Sequence, residues 1–323
     1  MICLLVQPVH PAGIEILAAA GLDVRQASAT DMTTVAKEIA TADAATTRNA
    51  GLNRQAMAAA PGLRVLGNHG IGVDPVDVPY ATEIGLPVIY TPYANVQSVA
   101  EQAIAMMLAI SKRVREADSA VREDRFDYRY TRDFHELYGK TLAIIGFGRI
   151  GRRTAELAQA AFKMRIVVYS PHVDAATVEA AGMEKWDDLD AVLREADVVS
   201  LHQRLTPDTR GWLDRDRLSS MKEGAILINT ARGALVDAES LIGAVESQHL
   251  RGAAMDVFEE EPLPADHPYC RTQGILLSPH IGGATEEALR RTAVETARQV
   301  VDVLAGRRPE HLVNPEVWER RRH

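Results

Sequence analysis

Four short stretches carry the residue types that redox chemistry on a carbonyl needs. LAIIGFGRIGRRTAELAQAAF (142–162) places Gly146, Gly148 and Gly151 in a G-x-G-x-x-G pattern, after an apolar run and before a helical one. In that context Gly146 makes a tight turn, Gly148 lets the backbone approach a pyrophosphate, and Gly151 lets helix pack on strand. The helix N-terminus adds N–H donors and positive dipole for phosphate. Downstream, NTARGALVD (229–237) holds Arg232, AMDVFEEEPLP (254–264) holds Asp256 and three successive glutamates, and LLSPHIGGAT (276–285) holds His280. Hydride transfer to a ketone leaves an alkoxide that must gain a proton, and histidine can give one near neutral pH. A carboxylate beside it orients the ring and favours the imidazolium. Arginine's planar fork of donors clamps a carboxylate and polarises a carbonyl. Alone, each has an ordinary reading: a hydrogen-bonding histidine, a turn arginine, a solvated acidic face. Their company with a dinucleotide turn in one domain points to redox.

The elements around them repeat strand then helix. ICLLVQ, LDVRQA, DAATTR, LRVLGN and LPVIYT alternate with helical patterns over the first 95 residues. From about residue 96 a second series begins: KTLAIIG, RIVVYS, DVVSLH, GAILINT, GAAMDVF and ILLSPH. Such order implies right-handed crossovers and parallel sheets, hence two doubly wound α/β domains. Loops at the carboxyl ends of the strands line the crevice of an open α/β sheet, and a cleft between the two domains is the expected place for a ligand. A long helix is expected from Gln97 to Arg115, capped by Ser98 or Asn95, and another from Glu286 to Ala305. Segment 119–139, rich in Arg, Asp and Tyr, reads as an exposed helix and a loop.

Composition narrows the class. The chain has 323 residues, a net charge of −8, 46% hydrophobic residues and 2 cysteines. That suits two globular domains and gives no general attraction to nucleic acid or an anionic membrane. Cys3 and Cys270 are too few for a disulfide framework or a cysteine metal site, so two structural thiols in a reducing compartment, and no metal, are expected. The N-terminus lacks a basic leader pattern, and the longest apolar run, AIAMMLAI (103–110), falls short of the ~18 residues of a membrane span. The expected location is the cytoplasm.

The strand RIVVYS ends at Ser170, followed by Pro171 and His172. An NAD-selective site would place Asp or Glu there for the ribose 2′-hydroxyl. Without that carboxylate a 2′-phosphate is not repelled. Ser170 can donate to it, and His172 and Arg204 could add positive charge. The cofactor is therefore NAD(H) or NADP(H), with the serine leaning toward NADP(H).

These motifs, together with NHGIGVDPVD (68–77), TPYANVQSVAEQAIAMMLA (91–109) and LHQRLTPDTRG, resemble the D-isomer-specific 2-hydroxyacid dehydrogenases over about residues 40–310. The resemblance implies a flavodoxin-like substrate domain, residues 1–95 plus 287–323, and a Rossmann nucleotide domain, residues 96–286. It implies that Arg232 binds substrate, that Glu261 pairs with the catalytic His280, and that Asp256 contacts the nicotinamide carboxamide. Cofactor contacts fall on Gly146, Gly148, Arg149, Ile150, Gly151, Ser170, His172, Arg204, Thr230 and Asp256. Substrate contacts fall on Arg232 and on the backbone of Gly70, Ile71 and Gly72, a plausible anion nest. Arg48 and His69 would suit a second polar group, so Arg48, His69, Arg232 and His280 form an expected cationic cluster.

Departures are Ser170 in place of Asp and Arg204 in place of proline. Glu261, where formate dehydrogenases carry glutamine, argues against that activity. An end at residue 323 implies no regulatory tail domain. The leading expectation is a hydroxypyruvate or glyoxylate reductase. A phosphoglycerate dehydrogenase without its regulatory domain and an NAD(H)-sensing corepressor are the alternatives. The resemblance also implies a homodimer embraced by the helix from Asn95 and by segment 119–139.

Overall fold

The computed structural model describes residues 1–322. The chain divides into two compact units, Met1–Asn95 with Gly283–His323, and Val96–Gly282.

In the first unit, β1 (Ile2–Leu5), β2 (Asp23–Gln26), β3 (Ala44–Thr47), β4 (Val65–Asn68) and β5 (Val88–Ile89) form a sheet of order β2-β1-β3-β4-β5. All its pairings are parallel. This is the flavodoxin-like order, whose direction reverses between β1 and β3. The helix Glu286–Leu304 closes one face of this sheet: Ala297, Val300 and Val303 pack with Cys3, Leu5, Val65 and Ile89.

In the second unit, β6 (Thr141–Ile145), β7 (Arg165–Tyr169), β8 (Glu184–Lys185), β9 (Val198–Leu201), β10 (Ile226–Asn229), β11 (Gly252–Met255) and β12 (Ile275–Leu277) make a parallel sheet of order β12-β11-β10-β9-β6-β7-β8. Leu142 and Ile144 face one core while Ala143 and Ile145 face the other. Burial on both faces is why this strand reads as an unbroken apolar run. The sheet reverses direction between β6 and β9, and the glycine turn follows β6 at that switch point. The doubly wound parallel architecture is as the sequence implies. The two-residue β8, too short to leave a pattern, is an addition.

One helix is shorter than expected. The run from Gln97 to Arg115 is a helix over Val96–Ser111, and a second helix covers Val114–Arg122. Between them Arg113 adopts φ +49. Its guanidinium bonds Asp133 at 2.8 Å, and Arg251 bonds the same carboxylate at 2.5 Å. A long-range ion pair thus accompanies the break in a locally helical sequence. Nor does Ser98 cap: its hydroxyl donates to the Gly282 carbonyl at 2.5 Å, while Asn95 Oδ1 is buried without a hydrogen-bond partner. Cys3 is buried, but Cys270 is exposed, so only the former is a structural thiol. Among the described residues no helix is long and apolar enough to cross a membrane.

Candidate active site

The glycine turn has the shape a pyrophosphate requires. Gly146 has φ +98, and a Cβ there would lie 2.7 Å from the His202 carbonyl carbon and oxygen. A Cβ on Gly151 would lie 2.1 Å from the Gly146 oxygen, so helix and strand touch there without side chains. Gly148, between them, faces open space, with nothing within 4 Å of an added Cβ. The helix Arg149–Phe162 begins at Gly148 with no side-chain cap. A helix start of this kind, with its positive dipole end, suits an anion. Thr230, past β10, has a buried hydroxyl without a hydrogen-bond partner. These features fit a dinucleotide.

The remaining cofactor-side residues are dispersed around this turn. Arg149 is exposed and Ile150 half-buried at the helix start. Ser170 is buried at the end of β7, whereas His172 and Arg204 are exposed in the loops beyond β7 and β9. His202, not anticipated, packs beneath the turn. Burial drops its imidazole to about 3, so it is neutral, and Ser200 Oγ lies 2.9 Å from its Nε2.

The chemistry-bearing residues leave β10, β11 and β12 at one end of the sheet. In register Asn229 faces Met255, which faces Leu277, so the loops that follow are neighbours. Asn229 braces the first loop: its Nδ2 donates to the Arg232 carbonyl at 2.8 Å, and its Oδ1 accepts from the Ala231 N–H at 3.0 Å. A Cβ on Gly233 would fall 2.1 Å from the Phe258 carbonyl carbon, so only glycine lets this loop lie against the glutamate loop. There Glu261 Oε2 meets His280 Nδ1 at 2.7 Å, and its Oε1 accepts from the Phe258 N–H at 3.0 Å. Burial pushes the Glu261 carboxyl up. The His280 contact, the Phe258 N–H and the charge of Arg232 outweigh it, leaving the group below its ordinary value. Glu261 is thus ionised at neutral pH and presents a full charge to the imidazole.

His280 itself is left-handed, with φ +54. Such a conformation costs roughly 1–3 kcal/mol for a residue other than glycine. Below it lies Asp256, 1% exposed. The Asp256 carboxylate accepts from Ser278 Oγ and the N–H groups of Ile281 and Gly282. Bonds to a buried charge contribute roughly 1.5–3 kcal/mol each, enough to hold the strained loop. Asn229 and Ser278 could have been suspected from their types at strand ends. Their partners could not.

In the first unit, Arg48 follows β3 and donates its N–H to Gln7 Oε1 at 3.1 Å and Nη1 to the Pro8 carbonyl at 3.2 Å. His69, Gly70, Ile71 and Gly72 follow β4, and Asn68 Nδ2 holds the Gly70 and Gly72 carbonyls at 3.1 and 2.9 Å. His69 corrects an expectation. Burial, with a smaller push from Arg48, drops its imidazole to about 3. It is a neutral ring with Nε2 buried and without a hydrogen-bond partner, and no member of a cationic group.

The Glu261 contact carries a prediction. Glu261→Gln keeps the shape but removes the charge that favours protonated imidazole. The reduction rate at alkaline pH should fall further below its neutral-pH value than in the parent. A pH–rate profile superimposable on the parent's would show that this carboxylate does not tune the acid.

Residues 104–282 match the family described as D-isomer specific 2-hydroxyacid dehydrogenase, NAD binding domain. The chain is 41% identical over 271 residues to the glyoxylate reductase of Thermofilum pendens, covering 82% of this chain and 79% of that protein. It is 37% identical over 312 residues to the D-3-phosphoglycerate dehydrogenase of Methanocaldococcus jannaschii, covering 96% of this chain but 59% of that protein. The chain thus spans little more than half the length of that relative. Among solved structures it is similar to the TT0316 protein of Thermus thermophilus, with a TM-score of 0.90 and 34% identity over 97% of this chain and 100% of that one.

Proposed function

The chain belongs to the D-isomer-specific 2-hydroxyacid dehydrogenases, and from that premise we propose that it reduces a small 2-oxoacid to its D-2-hydroxyacid at C2. The observation that carries this reading is the His280–Glu261 pair at 2.7 Å, in the unit that holds the glycine turn. A bound nicotinamide supplies the hydride. With Nδ1 turned to ionised Glu261, His280 holds the proton for the substrate oxygen on Nε2 and becomes neutral when it gives that proton up. Arg232 clamps the substrate carboxylate and polarises the carbonyl. In the first unit, the N–H groups of Ile71 and Gly72 suit a carboxylate, whereas the Gly70 N–H, expected to join them, donates to the Asn68 carbonyl at 3.0 Å; Arg48 and neutral His69 suit a polar group beyond C2.

Hydroxypyruvate and glyoxylate are the favoured substrates. The glyoxylate reductase relative is the more similar of the two in identity, 41% against 37%. The second reading, 3-phosphoglycerate oxidation, rests on the likeness to the phosphoglycerate dehydrogenase. The test is nicotinamide absorbance with glyoxylate, hydroxypyruvate, pyruvate and 3-phosphohydroxypyruvate, each with NADH and NADPH. Hydroxypyruvate or glyoxylate should give the highest kcat/KM. Equal rates for pyruvate and hydroxypyruvate would remove the argument from Arg48 and His69. A clear preference for the phosphorylated substrate would establish the second reading.

The cofactor assignment is NAD(H) with NADP(H) also accepted, on the strength of Ser170. Ser170→Asp should shift the NADPH-to-NADH ratio of kcat/KM at least about tenfold toward NADH, the worth of ~1.4 kcal/mol of repulsion. An unmoved ratio would leave the serine without a part in selection. Two unpaired cysteines suit a reducing cytoplasm, and the acidic balance suits a small-molecule partner, with neither nucleic acid nor a membrane.

We assign a homodimer contact to segment 119–139, beside the helix from Asn95, where Val121, Phe126, Tyr130 and Tyr138 are exposed by 61% or more. Apolar exposure of that kind usually marks a contact. Phe126→Asp with Tyr130→Asp should convert the dimer to monomer in analytical ultracentrifugation. A dimer that survives both changes would place the contact elsewhere.

A further inference from the structure

The loop carrying His280 is gripped by groups that the proposed reaction does not itself use. Asp256 is almost wholly enclosed, and among the described residues the hydrogen bonds of its carboxylate run to this loop. Oδ1 accepts from Ser278 Oγ at 2.5 Å and from the Ile281 N–H at 2.9 Å, and Oδ2 accepts from the Gly282 N–H at 2.8 Å. These residues flank the left-handed His280 on both sides. Ser278 Oγ in turn accepts from Gln102 Nε2 at 3.2 Å, and Gln102 sits on the helix Val96–Ser111. From the same helix Ser98 donates to the Gly282 carbonyl at 2.5 Å. A chain of donors therefore runs from the helix through a hydroxyl to a buried carboxylate and into the backbone that aims the imidazole.

We propose that Gln102, Ser278 and Asp256 form a positioning relay that sets the direction of the His280 ring toward its substrate. This rests on the redox reading of His280. The relay explains why the buried group is an acid. Among the described residues both oxygens of Asp256 accept from donors, so an amide of the same shape must turn its NH₂ against an N–H or a hydroxyl. Asp256→Asn therefore breaks at least one grip without changing volume. The relay also separates two duties for Asp256: a contact to the nicotinamide would act on cofactor affinity, whereas a grip on the loop acts on the proton donor. Misplacement of a reacting group by an ångström can cost on the order of 10²-fold in rate.

The experiment uses the full chain and the variants Asp256→Asn, Ser278→Ala and Gln102→Leu, with His280→Gln as reference. Four quantities are read: kcat against pH, the NADH dissociation constant from fluorescence, the melting temperature, and the NMR titration of the His280 ring, assigned by its loss in His280→Gln. Asp256→Asn should lower kcat by on the order of 10²-fold. It should move the pH–rate profile and the ring titration, and leave NADH affinity within about twofold of the parent, well under ~1.4 kcal/mol. Ser278→Ala and Gln102→Leu should move kcat and the ring titration in the same direction by less. Weakened NADH binding with unaltered kcat and ring titration would overturn the relay and assign Asp256 to the cofactor. If Asp256→Asn fails to fold, Gln102→Leu decides: parental kcat and ring titration there overturn the proposal. If His280→Gln turns over like the parent, the redox reading falls, and the ring titration of Gln102→Leu still judges the relay by itself.

Discussion

His280→Gln should reduce kcat for 2-oxoacid reduction by about 10²–10⁴-fold, the usual worth of a positioned general acid. Glutamine keeps a polar side chain able to bond Glu261 but has no titratable proton. The alkoxide left by hydride addition would then draw its proton from water, outside the geometry that the Glu261 contact at 2.7 Å imposes. Cofactor binding should be preserved, because the glycine turn follows β6 and not the β12 loop. The check is a pair of measurements, steady-state reduction and NADH fluorescence titration. Loss of both together would mean that the substitution damages the unit and says nothing about proton transfer. A parental kcat would remove His280 from the chemistry.

Arg232→Lys should lower kcat/KM by about 10²–10³-fold, the loss seen when one preorganised donor to a developing oxyanion is removed. Lysine keeps the charge but not the planar fork, so the fixed two-point geometry toward carboxylate and carbonyl is lost. The Arg232 backbone is fixed independently of its side chain by Asn229, so the loop should survive the change. Most of the loss should appear in KM if Arg232 chiefly binds the carboxylate, and in kcat if it chiefly polarises the carbonyl. A lysine variant within a factor of about two of the parent, under ~1 kcal/mol, would deny the arginine either part.

The alternating apolar runs made most strands legible, because each parallel strand buried on two faces needs an unbroken hydrophobic stretch. The glycine spacing was legible for the same kind of reason: at Gly146 and Gly151 the neighbouring backbone leaves no room for a Cβ. Features set by distant partners were not. Nothing local in the run around Arg113 tells that Asp133 and Arg251 meet its end and that the helix stops. The type of His69 suggests a cation, and only its enclosure beside Arg48 makes it neutral. A motif can nominate His280, but its left-handed backbone and the hold of Asp256 upon it depend on residues from separate parts of the chain. Sequence spacing thus identified reactive groups better than it identified what supports them.

The discontinuous first unit has a consequence for biosynthesis. Its early strands leave the ribosome long before the helix Glu286–Leu304, whose Ala297, Val300 and Val303 cover Leu5, Val65 and Ile89. Until that helix arrives, the nascent sheet presents an open apolar face, the kind of surface that aggregates or recruits chaperones. The second unit is continuous in sequence and emerges whole in the interval. The unit begun first is therefore completed last.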